Sequence, residues 1–390
     1  MKKKCKYILI VILLLVIGFL IALIYYKNNI KDFGESPKEI EVYNKYKLSE
    51  LVNVSLAHDK EISFVDIGTK EVTFTYYQKK FKRRGVIKAK VVDKTPPLIY
   101  GSNVQYLNLN NELKIKEKYI FADNYDSEVK WKVEGEYQSD TVGNYNIKLI
   151  AEDSSNNKTI KDIKVIVRKP IRNKNRIVSN YKYNYEDALK KYKNDNTLVG
   201  LDISKWQGDV DFSKLKKRDV DFVILRLGYR KGFGKELMLD PYFEENYKKA
   251  RKENIPVGVY FFSYSRNEKE AKEEGEFVLK HIKNKEIDMP IAFDWEDFKY
   301  FNDIKISLYN FNKLPDAFFS PLKHKYKDLM YLYGSTNYLH AFWNYDGNIW
   351  LADYNETTKY KGKYKMRQIT ERGVIDGIKG YVDINVYYKK

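Results

Sequence analysis

Three hydrophobic periods succeed one another along the chain. Residues 7–26 are an apolar run of about 20 residues, long enough as a helix to cross a hydrocarbon core of roughly 30 Å. From 38 to 168 apolar and polar residues alternate with period two, the pattern of half-buried antiparallel strands. From Val199 onward short apolar runs alternate with amphipathic stretches, the pattern of strands and helices taken in turn.

The first run follows Lys2, Lys3, Lys4 and Lys6, so the positive-inside bias puts residues 1–6 in the cytoplasm and everything after Lys27 outside. The run is long for a cleaved signal peptide and ends in Tyr25-Tyr26-Lys27 rather than at small residues. A single-pass anchor in the cell membrane is the expectation. The alternating region is one unit written twice, over 38–94 and 95–168, with Gly68 and Gly143 about 75 residues apart and Pro96-Pro97 at the junction. Residues 169–198 are rich in Lys, Arg and Asn and read as a linker, with a short helix near 185–192.

In the last region, strands are expected at 199–203, 221–227, 256–263, 290–295, 329–333, 348–354, 365–370 and 380–387. Asp240-Pro241 reads as the start of a helix whose buried stripe is Phe243, Tyr247 and Ala250. Few residues remain for helices between the last strands. The fold class expected over 199–390 is an α/β, incomplete TIM-like barrel. Such a barrel carries its chemistry where strands end, and Asp202, Asp294 and Glu296 fall there, with Asp383 in the last strand. Residues two apart in a strand share a face, so Asp294 and Glu296 reach one ligand. Closure makes the first and last strands neighbours, which brings Asp202 and Asp383 to that pair. Clustered carboxyls compete for charge, so one stays protonated near neutral pH while others ionise, the division that glycoside hydrolysis requires.

Charge narrows the choice of partners. The net charge is +18, but the segment from Val199 contributes only about +5. That argues against a nucleic-acid groove in the last domain and fits attraction of the earlier part to a membrane surface or anionic wall polymers. Cys5 is the only cysteine, and the four histidines have no ligand spacing, so no metal or other cofactor is expected.

The stretches Gly200 to Gly208, Val220 to Arg226, Val257 to Phe262, Pro290 to Glu296, Ile349 to Tyr354 and Gly377 to Val386 closely resemble glycoside hydrolase family 25 lysozymes, in motif order. The resemblance implies a flattened barrel of eight strands and about five helices, and N-acetylmuramidase activity on peptidoglycan with retention of configuration. It implies Glu296 as general acid/base, and Asp294 either orienting the substrate's 2-acetamido group or attacking directly. Asp202 and Asp383 would tune the pair. Tyr260, Phe262, Tyr333, Trp350, Tyr354 and Gln368 are candidates for saccharide contact. Where the family has Trp-Gln-Tyr, this chain has Arg367-Gln368-Ile369, a change expected to weaken or re-aim glycan binding. The stretches 122–127 and 151–156 resemble turns of bacterial Ig-like surface repeats, implying two sandwich domains that act as spacers or weak wall binders; their acids read as solvated turns. A tethered wall-remodelling hydrolase of a Gram-positive bacterium is the leading reading. The alternative is a non-catalytic wall-binding or structural protein on a degenerate barrel.

Overall fold

The computed structural model describes residues 12–21, 30–170 and 181–389. The expected membrane-spanning helix is not found. Residues 12–21 are helical, a described stretch of about 15 Å. Among the described residues no helix is long and apolar enough to cross a membrane. The rest of the predicted span, 7–11 and 22–26, lies outside the described residues. The single-pass anchor, the contact with the cell's own membrane and the membrane localisation are withdrawn accordingly.

The chain forms two compact units, Met1–Thr95 with Ser155–Asn157, and Pro96–Ser154 with Lys158–Lys390. In the first, a hairpin of Gly68–Gln78 and Phe81–Val92 is the centre. Its alternation buries Val72, Phe74 and Tyr76 on one strand and Ile87, Ala89 and Val91 on the other. Ile30–Glu35 and Ile40–Glu41 flank Phe81–Val92 in parallel, and a separate pair joins Tyr46–Lys47 to Glu61–Ile62. The first of these strands lies outside the expected boundary at residue 38.

The second unit begins with a related module. Gly143–Glu152 and Lys158–Arg168 form a hairpin, with Lys130–Glu134 antiparallel on one side and Val104–Asn108 parallel on the other. Leu98–Tyr100 pairs with Ile120–Ala122 as a second small sheet. Each module thus has a two-stranded sheet and a four-stranded sheet that includes a parallel pairing. The parallel pairings depart from the antiparallel strands expected from the alternation. Period-two alternation fixes which face is buried and leaves strand direction open. The acidic turns are not solvated: Asp123 is buried and accepts from the Tyr125 and Asp126 amides, and Asp126 accepts from Ser154.

The rest of the second unit is a closed barrel of β1 (Thr197–Ile203), β2 (Val223–Arg230), β3 (Val257–Phe262), β4 (Ile291–Asp294), β5 (Met330–Ser335), β6 (Asn348–Ala352), β7 (Met366–Val374) and β8 (Val382–Tyr388). The first seven run parallel; β8 is antiparallel to both β1 and β7 and closes the ring. The segment 375–381 between β7 and β8 is too short for the crossover that a parallel strand needs, so reversal is the available solution. Helices Phe243–Lys252 and Glu268–Ile282 cover the outside of the early strands.

Outward residues such as Leu201, Leu225, Val259, Phe293 and Leu351 pack against the helices. Inward residues form a separate cluster that includes Phe222, Ile224, Ala292, Tyr331 and Met366 and plugs the lower lumen. Glycines make room for that plug. A Cβ on Gly200 would lie 2.3 Å from the Phe222 carbonyl oxygen, and one on Gly258 2.6 Å from an Ile224 methyl.

Part of the region read as linker belongs to this body. Tyr183–Asn184 pairs with the end of β7, and the helix Tyr185–Tyr192 buries Tyr185, whose hydroxyl donates to the Val199 carbonyl at 2.7 Å. The module at 96–168 also docks on the barrel. The Asn302 side chain accepts from the Phe121 amide at 2.9 Å and donates to the Tyr119 carbonyl at 2.8 Å. Tyr100 packs on Phe342 and Tyr338. Asn302→Ala leaves two backbone groups unpartnered, and a loss of about 1–3 kcal/mol is expected. Thermal unfolding of the purified variant checks this; an unchanged midpoint would mean the two bonds contribute nothing net.

Candidate active site

The period-two rule that builds the lumen also builds the site. One step above the apolar plug, the inward positions are Asp202 on β1, Arg226 on β2, Tyr260 and Phe262 on β3, Asp294 on β4, Tyr333 on β5, Trp350 on β6, Gln368 on β7 and Asp383 on β8. With Glu296, Ser204, Trp206 and Gln207 they line a cleft of about 200 Å³. Asp383 lies near the start of β8, yet sits at the same rim as the ends of the parallel strands, because β8 runs the other way; it pairs directly opposite Asp202. Phe262, Asp294 and Tyr333 are likewise in register across β3, β4 and β5.

A hydrogen-bond network fixes the floor. Asp202 accepts from Asn385 at 2.8 Å and Gln368 at 3.0 Å. The oxygen of the Gln368 amide accepts from the hydroxyls of Tyr333 (3.0 Å) and Tyr354 (2.7 Å). The Trp350 indole donates to Asn385 at 2.8 Å, and Trp350 is only 2 % exposed. Tyr354 stands on the rim, outside the residues that line the cleft. Trp295 explains how Glu296 is aimed. It turns outward, is buried among Phe298, Phe301 and Phe311, and donates to the Ser265 carbonyl at 3.0 Å. The residues on either side of it therefore face the cleft.

Burial pushes all four carboxyls upward, because the charged form loses water. Glu296 is pushed up to about 7 by burial, reinforced by the negative charge of Asp202 and Asp297. Asp383 rises to about 10 through burial and its neighbour Asp202. Asp202 rises through burial, opposed by its hydrogen bonds from Asn385 and Gln368. Asp294 rises through burial and the nearby Glu296, with Arg226 opposing. Asp294 and Glu296 act on one another directly and titrate as a pair, which holds one proton near neutral pH. One Asp294 oxygen is buried with no hydrogen-bond partner among the described residues.

Sequence reading missed Arg226, Trp206 and Asn385. Arg226 is the buried cation of the cleft, held by Asp240 at 2.7–2.8 Å. Asp240 also accepts from the Lys205 and Tyr242 amides, both at 3.0 Å. The regular helix begins at Phe243, with the Asp240 carboxylate accepting from the Tyr242 amide just ahead of it. A charged residue inside the apolar stretch 221–227 was the available signal for Arg226. Trp206 is 75 % exposed on the cleft wall. Arg367 turns out to face away from the cleft: it is buried and its guanidinium donates to the carbonyls of Asp353 and Asn355, holding the loop that carries Tyr354.

Residues 201–378 match the sequence model of the family described as glycosyl hydrolases family 25. That segment, a little under half of the chain, is similar to the family 25 glycosyl hydrolases. Asp202, Asp294 and Glu296 lie within the matched segment and Asp383 just beyond it. An uncharacterized Escherichia coli K12 protein, YegX, is 25 % identical over 199 residues, 49 % of this chain and 70 % of its own. Among solved structures, the modular autolysin LytC of Streptococcus pneumoniae is 24 % identical with a TM-score of 0.45, covering 62 % of this chain; the chain spans 56 % of LytC. A family 25 glycosyl hydrolase of Bacillus anthracis is 22 % identical with a TM-score of 0.43, over 54 % of this chain and 95 % of its own.

The raised Glu296 has a consequence for stability. Its protonated form is favoured in the folded barrel, so the stability it contributes is present at low pH and lost as pH rises through about 7. Glu296→Gln removes that loss. The variant is expected to match the native midpoint near pH 5 and exceed it by about 1–2 kcal/mol near pH 8.5. Parallel thermal melts at the two pH values test the sign; a variant less stable at the higher pH would refute it.

Proposed function

We propose that the chain is a peptidoglycan hydrolase that cleaves the β-1,4 bond between N-acetylmuramic acid and N-acetylglucosamine with retention of configuration. The observation that carries the reading is the gathering of Asp202, Asp294, Glu296 and Asp383 at one barrel mouth within a segment matching family 25. No cofactor is invoked, since carboxyls can perform both proton transfer and charge stabilisation in this reaction.

In this proposal Glu296 protonates the leaving glycosidic oxygen and later takes a proton from water. The pair's single proton must then sit on Glu296, with Asp294 ionised. Two features support that division. Arg226 opposes the rise that burial and Glu296 impose on Asp294. The Asp294 oxygen without a partner is an acceptor that a substrate amide N–H would satisfy. An N–H donated to Asp294 stabilises its anion and leaves the proton with Glu296. This supports assistance by the 2-acetamido group, with Asp294 orienting it, over direct attack. Asp202 holds Gln368 and Asn385 in place, and Asp383, pushed up to about 10, keeps its proton beside it. Tyr260, Phe262, Tyr333 and the exposed Trp206 offer ring faces and hydroxyls to saccharide. The two β-modules act as spacers that present the domain, and their positive charge suits anionic wall polymers.

Digestion of purified peptidoglycan, followed by borohydride reduction and mass spectrometry of the new ends, tests the assignment. The native protein is expected to give reducing muramic acid ends. Glu296→Gln should lose activity by about 10³-fold or more, and Asp294→Asn by about 10²-fold or more. Reducing glucosamine ends would overturn the bond assignment. Binding without any cleavage would favour the wall-binding alternative.

A further inference from the structure

Beside the catalytic cleft lies a second, larger depression of about 590 Å³. One wall is built by residues that precede the family match: Tyr181, Lys182, Tyr183, Asp187 and Lys191. The other wall comes from the barrel, from Tyr354 to Glu356 and from Ile369 to Arg372 on β7. Pairing of Tyr183 with Gly373 holds the first wall against β7, and Tyr185 buried beneath it fixes its position.

The depression shares a wall with the cleft. Tyr354 belongs to its lining and bonds Gln368 in the cleft at 2.7 Å, and the β7 residues that line it follow Gln368 directly. Glu371 lies near enough to raise the proton affinity of both Glu296 and Asp383.

The lining names the ligand class. Six of its residues are charged, three of each sign: Lys182, Lys191 and Arg372, against Asp187, Glu356 and Glu371. Lys191 and Glu356 pair at 2.8 Å, while Tyr181 and Tyr354 are 59 % and 49 % exposed. A neutral sugar chain has no use for alternating charges, whereas a short peptide with both carboxylates and an amino group does. In the substrate proposed above, such a peptide hangs from the muramic acid at the scissile bond. We propose that this depression is a subsite for the stem peptide of that muramic acid, so that the enzyme reads glycan in one groove and peptide in the next.

The inference rests on the muramidase reading and has its own test. Two substrates are compared: soluble glycan chains bearing stem peptides, and the same chains after amidase removal of the peptides. The native protein should have about tenfold higher kcat/KM on the peptide-bearing chains. Tyr181→Ala with Lys182→Glu should abolish the preference and leave turnover of the bare glycan unchanged. Equal loss on both substrates would make the depression a sugar subsite and overturn the proposal, as would a native enzyme with no preference. Binding of a muramoyl tetrapeptide to the Glu296→Gln protein, followed by NMR, separates the two readings. Shifts confined to residues 181–192 and β7 support the subsite even if the cleaved bond proves different. Absence of binding overturns the subsite even if muramidase activity holds.

Discussion

Closure of the barrel by an antiparallel last strand is the constraint on which the rest depends. With β8 reversed, its first residues and the last residues of β1 to β7 meet at one rim, and Asp383 stands opposite Asp202. Period-two alternation then sends every second side chain into a narrow lumen. The lower positions are apolar and exclude water. The upper positions carry carboxyls that cannot all be solvated there, so their proton affinity rises together. The site's chemistry follows from geometry that the backbone imposes.

The supporting shell is built from residues that never reach the cleft. Trp295 locks the chain between Asp294 and Glu296 into an aromatic cluster with Phe298, Phe301 and Phe311. Asn302, one turn further on, ties that same segment to the module at 96–168. Asp240 holds Arg226, and Arg367 holds the Tyr354 loop. Burying Arg226 and Asp240 together is tolerable because each carries charge-assisted bonds, and the pair supplies a buried cation near Asp294.

Much of this was legible in the sequence, for identifiable reasons. A barrel strand buried on both faces reads as a short apolar run, and 221–227, 256–263 and 290–295 stand out on that ground. The acids stand out because they end such runs. Arg226 was overlooked because it interrupts one rather than ending it. Asn385 has no composition signal, since an amide in a strand is neutral and common. Arg367 was read as a lost ring in the cleft, but side-chain direction depends on a pleat whose phase is set by Gln368. The module boundaries and parallel edge strands were beyond reach, because alternation reports burial and not partner direction. The apolar run at 7–26 was judged by its length and its flanking residues, and the described helical residues cover half of it.

The cleft holds the proton of the Asp294–Glu296 pair near neutral pH, and the chemistry proposed for the site depends on it. Carboxyl titration by ¹³C NMR, on native protein beside Glu296→Gln, tests it most directly. The account predicts a carboxyl in the native protein with a midpoint near 7 that is absent from the variant. Titration of every cleft carboxyl below about pH 5 would contradict it, since the lumen would then not be withholding water from its acids.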